Sequence, residues 1–77
     1  MNKDRRLRIR SVIQTIQECA DTVSSIRDEE EMAMDGLPEN LQYSDRYTAM
    51  EDAAGYLESA ESALKEAVQN LENAASQ

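Results

Sequence analysis

Two runs of apolar residues spaced three and four apart, separated by Gly36 and Pro38, leave this chain little freedom in what it can fold into. In the first, Ile9, Val12, Ile16, Cys19, Val23 and Ile26 recur in steps of 3, 4, 3, 4 and 3. That is the two-position seam of a heptad, and helix is the only regular structure it fits. Ile13 and Ala20 widen the stripe toward the face of a bundle helix. The pattern stops at Asp35-Gly36 with Pro38 just beyond, because Gly tolerates a left-handed turn and Pro cannot continue the ladder. The second run, Met50, Ala53, Leu57, Ala60, Leu64, Ala67, Leu71 and Ala74, repeats the alternation with Leu and Ala. Ser44 followed by Asp45 is its natural start, since the hydroxyl accepts an orphan N–H and the acid complements the helix dipole. Gly55 is the one weak helix former inside, at up to ~1 kcal/mol relative to Ala; it marks either a tolerated imperfection or close approach by a neighbouring helix.

The spacing therefore predicts an all-α chain: one domain over residues 1–77, with helix 1 at about 3–34, a connector at 35–44 and helix 2 at about 45–75. Folded about the connector as an antiparallel, coiled-coil-like two-helix hairpin, facing residue numbers sum to about 80. This register sets Ile9 against Leu71, Val12 against Val68, Ile16 against Leu64 and Val23 against Leu57. A hairpin cannot enclose a core, and chains of this size rarely draw more than about 3–5 kcal/mol from one. A homo-oligomer is expected, with hairpins assembling into a helical bundle through the flanking residues Ile13, Ala20, Ala54 and Val68.

Composition narrows the chemistry. The chain has no His and a single Cys, so neither an internal disulfide nor a zinc site has a plausible ligand set, and no cofactor is expected. Catalysis needs a nucleophile with its base, a metal with an open position, or carboxylates held apart in a pocket, and none is assembled in the sequence. No apolar run is long enough to span a bilayer, and MNKDRRLRIR lacks the apolar stretch of a secretory signal. A cytoplasmic protein without a membrane partner is the expectation.

Charge is laid out unevenly around a net of −8. Residues 1–10 carry Lys3, Arg5, Arg6, Arg8 and Arg10 against Asp4, whereas residues 28–52 carry nine acids against Arg46 alone. An antiparallel oligomer would set the basic tip of one hairpin beside the acidic half of another. The basic tip opposes the dipole of its own helix. Either the end of helix 2 offsets it with Glu72, free carbonyls and the terminal carboxylate, or Arg5, Arg6 and Arg8 join the helix N-terminus in an anion or phosphate site. The connector is longer than a hairpin needs. Leu37 and Leu41 either cap the seam beneath Tyr43 and Tyr47, or Asn40, Gln42, Tyr43, Arg46 and Tyr47 form a recognition surface for a base and its phosphate, completed by a neighbour's arginines. Duplex nucleic acid is not an expected partner of so acidic a chain.

Asn2-Lys3-Asp4-Arg5-Arg6 ahead of an Ile-rich helix, and Leu37-Pro38-Glu39-Asn40-Leu41-Gln42 followed by Ser44, Arg46 and Tyr47, resemble a group of small uncharacterised helical-hairpin proteins of phages and mobile elements of Gram-positive bacteria. The resemblance implies a phage accessory protein without enzyme activity, acting in the bacterial cytoplasm. Its expected role is to counteract host defence by sequestering a nucleotide immune signal in pockets of a homo-oligomer. The alternatives are an acidic nucleic-acid mimic that inhibits a host defence nuclease in the manner of some anti-CRISPR proteins, and a purely structural oligomeric scaffold.

Overall fold

The computed structural model describes residues 1–77. Helix α1 spans Lys3–Asp35, a 3-10 turn spans Glu39–Leu41, and helix α2 spans Asp45–Ala75. The two helices lie side by side as an antiparallel hairpin, a rod of 59 × 14 × 12 Å. No helix is long and apolar enough to cross a membrane.

Both helices are capped by their sequences. Ser44 Oγ accepts from the Tyr47 N–H at 3.3 Å while its hydroxyl donates to the Leu41 carbonyl at 2.6 Å, tying the connector to the start of α2. Asn2 does the same for α1, its Oδ1 accepting from the Arg5 N–H at 2.8 Å. At the far end of α1, Gly36 has φ −81° and ψ −8°, so the left-handed turn expected there is not used. The helix instead tightens as it ends, with the Gly36 N–H on the Met32 carbonyl at 3.0 Å and the Leu37 N–H on the Met34 carbonyl at 3.1 Å, immediately before Pro38. Around Gly55 there is open space where a side chain would be, so α1 does not approach it closely.

The seam between the helices differs from the expected one in a systematic way. The half-buried and buried residues of α1 include Arg6, Ile9, Ile13, Ile16, Ala20, Val23, Arg27, Glu30 and Met34. Those of α2 include Tyr47, Met50, Ala54, Leu57, Glu61, Leu64, Val68, Leu71 and Ala75. Each row alternates steps of three and four, so α1 carries heptad positions a at 6, 13, 20, 27 and 34 and d at 9, 16, 23 and 30. Every expected d residue is half-buried, and the register agrees with the expected one near the open end, where Arg6 meets Ala75 and Ile9 shares a groove wall with Leu71. Every second position has moved by one residue. On α1 Ile13, Ala20 and Arg27 replace Val12, Cys19 and Ile26; on α2 Ala54, Glu61 and Val68 enter the seam, Ala60 is exposed, and Ala53, Ala67 and Ala74 stay half-buried at its edge. Val12 and Ile26 stand 47% and 45% exposed, and Cys19 is exposed with them.

The four residues expected to form the open flank of the hairpin consequently lie inside it. Ala20 and Ala54 are among the most buried residues of the chain, and Ile13 and Val68 are half-buried. The reason is size and charge together: this rotation brings the larger Ile13 and Val68 inward and lets Arg27 and Glu61 meet.

Candidate functional site

The one charged cluster inside the seam is built by α1 and α2 jointly. Arg27 Nη1 donates to Glu61 Oε2 at 2.6 Å, and Lys65 Nζ reaches the other carboxylate oxygen at 3.0 Å. Helical side chains lean toward the N-terminus of their own helix. In an antiparallel pair Arg27 and Glu61 therefore lean toward one another, over the space that the short side chains of Ala20 and Ala54 leave between the axes. Asp28 and Glu31 add contacts to the guanidinium at 3.4 and 4.0 Å, the latter too long for a hydrogen bond, so Arg27 Nε keeps no partner. Burial works against the charge on Arg27, yet Glu61 first and then Asp28 and Glu31 more than offset it and hold its pKa above the ordinary arginine value. On Glu61 the Lys65 hydrogen bond is the largest influence; with the Arg27 charge it outweighs burial and holds the carboxyl below its ordinary 4.5. Both groups are ionised near neutrality and already bonded to each other, an arrangement suited to fixing register rather than to moving a proton. The spacing rows 13, 20, 27, 34 and 54, 61, 68 contain the signal for this pair, but charges within a row read as breaks in a hydrophobic pattern.

At the open end of the rod the three arginines separate into two roles. Arg6 is half-buried and clamps the end of α2, Nε donating to the Ala75 carbonyl at 3.1 Å and Nη2 to the Gln77 main-chain oxygen at 3.2 Å. This satisfies C-terminal carbonyls that no helix bond can reach. Arg5 and Arg8 are exposed and rim an open groove of about 270 Å³ whose wall includes Ile9, Val12 and Leu71. Arg8 also meets Asp4 at 3.1 Å, one turn away and solvent-exposed.

Asn40, Gln42, Tyr43, Arg46 and Tyr47 lie at the opposite end of the 59 Å rod, so one chain does not bring them to the arginines. They also share no groove with one another. Tyr47 is half-buried in the seam and Gln42 half-buried behind the 3-10 turn, whereas Asn40 and Arg46 are exposed and Tyr43 is 97% exposed. Tyr43 therefore does not cover Leu37 and Leu41 as the sequence suggests. Met34 and Tyr47 close this end of the seam, with Leu37 half-buried and Leu41 exposed. What surrounds the connector is acid: Asp28, Glu29, Glu31, Asp35, Glu39, Asp45, Glu51 and Asp52 are all exposed.

The two long sides of the rod are unlike. One carries charge: Arg10, Gln17 and Glu72 share a groove with Ile13 and Ala75, and Gln17 and Lys65 share the next with Ala20 and Val68. The other begins at the Arg5 and Arg8 groove and continues through a shallow depression at Thr15, Glu18, Cys19, Thr22 and Val23. Comparison with protein-family models, curated proteins and solved structures returns no match to the chain.

Proposed function

We propose that this chain is a non-enzymatic binding protein whose acidic end docks on a basic surface in place of nucleic acid. The observation that carries this reading is the density of exposed, largely unpartnered carboxylates around the connector. Of the nine acids in residues 28–52 only Asp28 and Glu31 meet a cation, both of them on Arg27. Carboxylates held on two rigid helix ends and a tied-down turn present a fixed negative pattern, which favours fast, salt-sensitive encounter with a positive groove. In the phage setting implied by the central motif, such a groove belongs to a host defence nuclease. The test is competition with DNA for a panel of such nucleases. The reading requires displacement that weakens with added salt and is lost when Glu29, Glu31 and Glu39 are changed together to Gln; no displacement at any ionic strength sinks it.

Sequestration of a nucleotide signal is the second reading, supported by the groove in which Arg5 and Arg8 flank an apolar wall. At about 270 Å³ it holds part of a dinucleotide at most, so a second copy would have to supply the rest. Calorimetry with cyclic dinucleotides tests it: binding that disappears in Arg5→Glu supports the reading, and an absence of heat across the panel removes it. Inactivity in both assays leaves a structural scaffold.

A further inference from the structure

The side of the rod opposite the charged grooves carries a strip of uncharged residues on both helices, with Glu18 at its edge beside Cys19. On α1 it runs through Val12, Thr15, Cys19, Thr22 and Ile26, all exposed. In the antiparallel pairing the corresponding positions of α2 fall on the same side: Ala53, Ala60, Ala67 and Ala74, with Tyr56 the one large side chain, 78% exposed. Val12, Cys19, Ile26 and the four alanines are residues that a sequence reading puts in the seam of the hairpin itself. The chain thus has two apolar seams sharing the same d positions, and folding of one copy uses only one of them. The hairpin exposes 5732 Å², about 1,000 Å² more than a compact chain of its mass, and a stable interface needs about 800 Å² per partner.

We propose that this strip is the interface with a second copy of the same chain, packed face to face about a two-fold axis that crosses α1 at Cys19, with the two rods antiparallel. Three features select this occupant and this orientation. The α1 strip is nearly palindromic about Cys19, so Val12 meets the partner's Ile26 and each half-strip is covered by the other. The charges that continue the strip are complementary: Arg8 falls beside the partner's Glu29, whereas a parallel pairing sets like charges together. The α2 strip has its own centre of symmetry between Ala60 and Ala63. In the register fixed by Arg6 on Ala75, that centre lies at the height of Cys19, so one axis serves both helices. It pairs Ala60 with the partner's Ala63 and Tyr56 with the partner's Ala67, alanine contacts that let helix axes approach at the short end of the usual range. The product is a four-helix bundle in which each d residue touches both layers. Its existence does not depend on what the acidic end binds.

The experiment uses the full chain. Light scattering is expected to give twice 8.7 kDa at tens of micromolar. Ala60→Glu, at the centre of the strip, should give a helical monomer by circular dichroism at the same concentration, while Gln17→Glu on the opposite side leaves the dimer intact. Arg8→Glu should weaken the dimer by roughly tenfold or more, with recovery when Glu29→Arg is added. Orientation is read by crosslinking in a Cys19→Ser background: a short bis-maleimide should join Val12→Cys chains to Ile26→Cys chains and neither to itself. A wild-type chain that scatters as a monomer, a dimer that survives Ala60→Glu, or self-crosslinking at position 12 overturns the proposal.

Discussion

The tip half of the hairpin seam and its connector half hold the same two helices together by different means. Between Ile9 and Ile16 on α1 and Leu64 and Leu71 on α2 the layers are aliphatic: Ile9, Ile13 and Ile16 against Leu64, Val68 and Leu71. From Ala20 onward they become Ala, Arg27 and Glu30 against Ala54 and Glu61, with only Val23, Leu57 and Met50 as larger apolar partners before Met34 and Tyr47 close the end. The first half supplies burial, which is non-directional and would accept a rotation of either helix by one residue. The second half does not, because the same rotation would swing Arg27 and Glu61 away from each other. Stability and register are thus assigned to separate stretches of one interface.

Single substitutions and a pH titration probe the hairpin, from the largest effect to the smallest. Glu61→Ala should give the greatest fall in melting temperature of the set, since it leaves the Arg27 guanidinium in the seam without its partner, and thermal melts read this directly. If Glu61→Ala costs less than removing an aliphatic residue, the ionic layer is not what fixes the hairpin. Leu64→Ala in the aliphatic half should cost about 2 kcal/mol by urea denaturation, at the low end for core leucines because the site is only half-buried. Asn2→Ala and Ser44→Ala should each cost about 1 kcal/mol by loss of a cap. Gly55→Ala should raise stability by up to about 1 kcal/mol, there being nothing for the added carbon to strike. A pH titration sharpens the same contrast. Glu61 is held below its ordinary value, so its contribution is complete above about 4.5 and is lost as pH falls below that. The acid-sensitive part of the melt should vanish in Glu61→Gln while Leu64→Ala retains it.

Much of this architecture was legible in the residues themselves. Gly36 and Pro38 mark the end of α1, Ser44 marks the start of α2, and the d positions from Ile9 to Leu71 give the register. Which side of each helix faces inward was not legible, because Val12, Cys19 and Ile26 satisfy the three-four spacing as well as Ile13, Ala20 and Arg27 do. Counting apolar residues favours the first set. The structure takes the second, since an arginine and a glutamate that lean toward each other across two alanines form one satisfied layer, a fact that neither residue carries alone. The role of Arg6 was legible as one of two options, and its bonds to Ala75 and Gln77 select between them. The residue types at the connector suit stacking and hydrogen bonding, but their convergence into a recognition surface depends on where a short turn aims them, and Tyr43 points into solvent.

The clamp of Arg6 on the last turn of α2 has a mechanical consequence. It joins the two ends of the chain at one end of a long rod, so tension applied through the termini loads this contact first and then peels the helices apart layer by layer instead of shearing all layers together. Such a hairpin opens as a zipper under low force, and the tug reaches Arg27 and Glu61 only after the aliphatic layers have parted.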